Sequence, residues 1–231
     1  MTVTSFDPIA VWHFNSKKTN EYFKYSNVEF GCYPVWVFWN LKNILNILYK
    51  SKILLINKLT FLGIEEIIID FKGKDTTVDE VIDVIVSEIY TSKVSSSIKF
   101  SGRTVLNENG KEKSFSNIVQ FHCTLNLGSF TISLFSDCWV PIDRNDKLQV
   151  DLAEKCSPIL SKALKKIKEL GFDSVTPDSG EEYTDELLPQ FGFKVYLYDT
   201  AIDEIDYKQL SKEDKWRIEK YLWKNRITYP A

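Results

Sequence analysis

Apolar positions along the chain change their period several times, and each change marks an element. Tyr33–Trp39 (Tyr-Pro-Val-Trp-Val-Phe-Trp) is an unbroken β-branched and aromatic run, which predicts a buried strand. Asn40 then caps a helix reaching about Tyr49, with Leu41, Ile44, Leu45 and Leu48 repeating at three and four. Ile53–Leu62 fits either an extension of that helix or a short strand. Ile64–Phe71 predicts a strand closed by Lys72-Gly73-Lys74. Thr77–Tyr90 carries a helical stripe of Val78, Val81, Ile82, Ile85, Val86 and Ile89, and Thr77 with Glu80 forms a capping box.

Alternation then takes over. Ser97–Leu106, Phe115–Leu127 and Phe130–Phe135 each alternate, and the turn signals Asn107–Gly110 and Gly128-Ser129 separate them. This predicts an antiparallel meander of three strands. Ser157-Pro158 suits a helix start, with Pro at the first helical position. Ile159, Leu160, Ala163, Leu164, Ile167 and Leu170 supply its core face, and Gly171 stops it. Asp173–Pro189 is the loosest stretch. Phe193–Tyr198 predicts a late strand, and Ser211–Lys224 a closing helix. The fold class expected is α+β: a central, largely antiparallel sheet with helices packed against it. The chain is expected to form a single domain over 1–231, with a division into 1–95 and 96–231 as the alternative.

Composition narrows the classes. The 231 residues include 15 Phe, 11 Tyr and 6 Trp, enough large side chains for a solid core. The start, Met-Thr-Val-Thr-Ser-Phe-Asp-Pro, lacks the basic opening and apolar run of a signal peptide. The apolar region Leu41–Leu62 is broken by Lys42, Lys50, Lys52 and Lys58, unlike a membrane span. A cytoplasmic protein that meets no membrane is expected. Cys32, Cys123, Cys138 and Cys156 form no C-x-x-C pair, so free buried thiols are expected rather than bridges.

Candidate chemistry is sparse. Glycine-rich phosphate loops and the G-x-S-x-G elbow are absent. His122 and Cys123 adjoin on a predicted strand, so they face opposite sides and cannot work as a nucleophile–base pair. Two histidines and four scattered cysteines show no metal-ligand spacing. Asp143–Asp146 lacks the glycine and terminal Glu of a calcium loop. No catalytic residue, metal or cofactor is expected. Nucleic acid is not an expected partner, because the basic cluster Lys215, Arg217, Lys220, Lys224 and Arg226 reads as the solvated side of a helix that buries Trp216 and Trp223.

Charge is unevenly placed. Asp173–Asp214 holds twelve acids against Lys194, Lys208 and Lys212, a net of −9 in a chain whose total is −3. A concentrated acidic surface steers a basic partner and discriminates against others. The candidate partner-binding residues are Asp178, Glu181, Glu182, Asp185, Glu186, Asp199, Asp203, Glu204 and Asp206. A plain solubilising face is the competing account of the same charges.

One stretch carries a resemblance. Ile132-Ser133-Leu134-Phe135-Ser136-Asp137-Cys138-Trp139-Val140-Pro141-Ile142-Asp143, followed by the Ser157-Pro158 helix, resembles bacterial proteins in which a strand ends in Ser-Asp-Ala-Trp-Leu-Pro-Tyr-Asp. Those are immunity partners of polymorphic or contact-dependent growth inhibition toxins. The likeness covers about 40 residues, and departs at Cys138, Val140 and Ile142. It implies a non-enzymatic protein that neutralises a cognate toxin domain by binding it. From the residues alone, Asp137 and Trp139 fit a scaffold role, with an exposed rim as the alternative. Two other functions compete: a small-molecule enzyme using carboxylates, and a self-associating structural module.

Overall fold

A computed structural model of the chain describes residues 7–16, 35–63, 66–72, 76–92, 97–108, 110–140 and 149–179. The described strands are β1 (Ala10–Asn15), β2 (Leu55–Leu62), β3 (Ile67–Asp70), β4 (Ser97–Glu108), β5 (Lys111–Thr124), β6 (Ser129–Leu134) and β7 (Ser174–Ser179). They form one antiparallel sheet in the order β3-β2-β4-β5-β6-β1-β7. The helices are α1 (Val35–Lys50), α2 (Val78–Ser92) and α3 (Val150–Lys168). The fold is α+β, as the changes of period predict.

The meander β4-β5-β6 is the centre of the sheet. Asn107 accepts from the Gly110 N–H at 3.0 Å, and Gly110 takes φ +78°, which fixes the first hairpin. Alternation sends Ile98, Phe100, Phe121, Cys123, Phe130 and Ile132 inward. Phe121 lies 5.1 Å from Phe100 and stacks parallel to Phe130 at 6.2 Å, and Phe172 closes the row edge-on to Phe130 at 5.5 Å. Gly102 marks a register shift; a Cβ there would sit 2.0 Å from the Leu55 carbonyl oxygen, so only glycine lets β2 and β4 approach.

The three helices bury their apolar stripes in the same core cluster as this inward face. The capping box of α2 forms as predicted. The Thr77 N–H and hydroxyl both donate to Glu80 Oε2 at 2.8 Å, and the Glu80 N–H returns to Thr77 Oγ1 at 3.3 Å.

Three expectations are corrected. The expected strand Tyr33–Trp39 is not seen over its described part: α1 already runs from Val35, and Tyr33 and Pro34 lie outside the described residues. The 3–4 spacing of Leu41, Ile44, Leu45 and Leu48 extends back to Val37, and burying that one stripe overrides the local β preference. Asn40 is therefore not a cap but an interior helical residue, buried, with its Oδ1 unpartnered. The second correction concerns α3, which starts at Val150 and carries Pro158 inside it. Ala153 and Cys156 continue the stripe of Leu160, Ala163, Leu164 and Ile167 upstream, while Pro158 points to solvent. The third is the stretch after Asp173. Its first part is β7, paired along its whole length with β1. Pro177 fits there because β7 is the outermost described strand on that side, where one row of donors has no described neighbour.

Ile53–Leu62, open between helix and strand in sequence, resolves mostly into β2. The expected strand Phe193–Tyr198 and helix Ser211–Lys224 lie outside the described residues. Strands from either side of residue 95 share the sheet, because β2 pairs with β4 and β1 pairs with β6.

Candidate partner-binding surface

The resembling segment builds scaffold. After β6, Asp137–Trp139 forms a single 3-10 turn, and Asp137, Cys138 and Trp139 are all buried. The Cys138 N–H donates to Ser136 Oγ at 3.3 Å, and Gln149 Nε2 ties the turn to the start of α3 by donating to the carbonyls of Asp137 and Val140. Neither Asp137 nor Trp139 reaches a rim. Cys123, Cys138 and Cys156 are buried thiols outside any disulfide, and Cys32 lies outside the described residues. Burial pushes the Cys138 thiol well above the usual range, and its neighbour Cys156 pushes the same way by hydrogen bond and charge. Burial also raises Cys123. These thiols are poor nucleophiles.

The far side of the sheet carries a polar row. His13, Thr131, His122 and Lys99 are neighbours across β1, β6, β5 and β4. Ser97 Oγ lies 2.6 Å from His122 Nε2, and Thr131 Oγ1 lies 3.3 Å from His13 Nδ1. Partial burial, and then the Lys99 charge, hold the His122 imidazole below its ordinary pKa. His122 and Cys123 do face opposite sides, as alternation requires. The Ser97–His122 contact was not anticipated, since it joins positions 25 apart in sequence. Among the described residues no group of His, Cys, Asp or Glu could hold a metal ion, and no helix is long and apolar enough to cross a membrane.

Of the nine acidic candidates, the structure describes one. Asp178 is exposed on β7, opposite Val11 of β1. Glu181, Glu182, Asp185, Glu186, Asp199, Asp203, Glu204 and Asp206 lie outside the described residues. Asp173, also exposed, opens the acidic run just before β7, the outermost described strand on that side.

The helical layer offers a second surface. α1 packs between α2 and α3. Val35 and Trp39 of α1 are 85% and 54% exposed, and Val86 of α2 is exposed too. Between α1 and α3 runs an open groove of about 550 Å³, lined by Asn43, Asn46, Ile47 and Lys50 on one side and Ile159, Lys162, Lys166 and Leu170 on the other. Asn43 and Asn46 donate back to the Trp39 and Lys42 carbonyls, at 2.8 and 3.0 Å. Among the described residues, no carboxylate lines this groove. Sequence reasoning missed the exposed Trp39 because it placed that residue in a buried strand. The helical phase set by Leu41 and Leu48, carried back to Val37, would have found it.

No protein-family model, curated protein or solved structure matches the chain.

Proposed function

We propose that this chain is a binding protein of the immunity type, which neutralises a cognate toxin domain by occupying it and performs no reaction of its own. The observation that carries the reading is the exposed Asp178 on the outermost described strand, at the start of a segment with a net charge of −9. Support also comes from the likeness around Ser136–Asp143, a segment whose described part serves as scaffold. The partner expected is a basic protein domain: charge sets the rate of encounter, and apolar contacts hold the complex.

The test uses the tagged full chain, purified from its native host at low and at high salt. A stoichiometric basic protein is expected at low salt. Replacing Glu181, Glu182, Asp185 and Glu186 by Lys together is expected to slow association with that protein about tenfold or more at low salt, and far less at high salt. Unchanged association kinetics in the four-fold variant would remove the acidic segment as the interface.

A further inference from the structure

We infer that the outer face of the helical layer is a self-association surface, on which a second copy of the chain sits related by a two-fold axis. This goes beyond toxin binding and uses a different surface.

Val35, Trp39, Asn43, Ile47 and Lys50 fall at helical spacing on one stripe of α1, so the exposed tryptophan leads directly into the groove beside α3. Lys162 and Lys166 stand one turn apart on the opposite wall. With Lys50, they give the groove three ammonium groups above an apolar floor that includes Ile47, Ile159 and Leu170. None of the three forms an ion pair with a described residue. Two lysines that do not line the groove are paired: Lys42 meets Asp79 of α2 at 2.6 Å, and Lys52 meets Glu112 of β5 at 2.5 Å.

The complementary surface lies on the same layer. On α2, Asp79 is paired with Lys42 and Glu80 caps the helix through Thr77, which leaves exposed Asp83, with exposed Val86 one turn beyond it, to face a second copy. α1 lies between the acidic helix α2 and the basic helix α3. A two-fold axis parallel to α1, lying just outside the outer face of the layer, places α2 of each copy over α3 of the other. Acid meets base twice, and the two exposed Val35–Trp39 stripes meet near the axis. Such a contact is isologous and closes on itself, giving a dimer rather than a fibre.

The area is adequate. Helices of 15 to 19 residues are about 22–28 Å long. At spacings of about 8–10 Å, three of them span roughly 600–700 Å² per copy, near the lower range of stable interfaces. The exposed aromatic at the centre and charges around it follow the usual distribution of binding energy, with the anchor inside and the polar groups at the rim.

The experiment is sedimentation equilibrium of the full chain from nanomolar to high micromolar concentration, at low and high salt. Mass rising to twice the monomer is expected. Trp39→Ala is expected to weaken the dimer about thirtyfold. The pair Lys162→Glu and Lys166→Glu is expected to weaken it about tenfold at low salt, and adding Asp83→Lys to that pair should recover most of the loss. All substituted side chains are exposed, so unchanged circular dichroism is expected to accompany each result. A mass fixed at the monomer at every concentration overturns the proposal. So does a dimer that tolerates both Trp39→Ala and the lysine reversals. A monomer whose groove takes up a synthetic acidic amphipathic helix, and loses it on lysine reversal, would assign the groove to an acidic partner instead. None of these outcomes depends on the acidic segment after Asp178, so they separate from the test of toxin binding.

Discussion

The meander β4-β5-β6 and the helix pair α1–α3 are both rich in large apolar residues, yet they use them differently. In the meander, inward positions are given over to packing: Phe100, Phe121, Phe130 and Ile132 are fully buried. Outward positions carry Ser, Thr, His and Lys, a polar face suited to water. In the helix pair, burial is partial. One stripe of α1 is buried without remainder, while Trp39 and Val35 are left outside, and three lysines border an open groove. Residues fully used by the core report on stability. Large side chains that the core leaves out have another use, or impose a solubility cost that needs explaining.

Truncation should separate the two regions most sharply. Phe121→Ala removes a ring packed between Phe100 and Phe130, and is expected to cost about 3–5 kcal/mol of unfolding free energy. Trp39→Ala removes a larger side chain, yet it is expected to change stability by less than about 0.5 kcal/mol in the monomer. Urea unfolding of both variants at low protein concentration checks this. Comparable losses would mean that Trp39 belongs to the core after all, and the contrast would collapse.

A smaller effect tests whether the backbone of the meander is packed as tightly as its inward rings. In Gly102→Ala the new methyl would meet the Leu55 carbonyl oxygen, so β2 and β4 must part. The expected loss is about 1–3 kcal/mol, read from the urea midpoint. Faster amide exchange should be confined to β2 and β4. A neutral substitution would show that the register shift at this position is soft.

The same contrast explains what was legible in the sequence. The meander could be read because each of its signals is local: alternation within a strand, an Asn–Gly turn, a glycine at positive φ. The cap of α2 was legible for the same reason, since Thr77 and Glu80 recognise each other across three positions. The starts of α1 and α3 were not. The run from Val35 to Trp39 has strand-forming residues, and Pro158 looks like a first helical position. In both cases a buried stripe extends the helix past the local signal, and that stripe is defined only by what the sheet presents to it. β1 was overlooked, although Ala10, Trp12 and Phe14 alternate inward with Val11 and His13. Its partners β6 and β7 lie over a hundred residues away, and six residues carry little weight alone. β7 has only Val175 among its described residues fully in the core, so its sequence reads as loop. Of the site, the charge imbalance was visible in the sequence, whereas the groove was not, because its walls come from helices about a hundred residues apart.

The smallest expected effect probes the meander's outer face, where polar groups are not wholly solvated. His122 is partly buried beside Ser97, and desolvation first, then Lys99, hold its pKa below the ordinary value of 6.5. The unfolded chain therefore binds a proton at a pH where the native chain still refuses it. This contribution to stability is complete above about pH 6.5 and declines as pH falls through the window between 6.5 and the lower folded value. Urea unfolding of the wild type should show a midpoint that drops across that window, and His122→Gln should flatten the slope while keeping a polar partner for Ser97. Lys99→Gln should flatten it only in part, because desolvation is the larger cause. A slope that persists in full in His122→Gln would place the titration elsewhere. In that case the outer face would be as well hydrated as the helical surface, and the distinction between the fully packed meander and the half-open helix pair would rest on the inward rings alone.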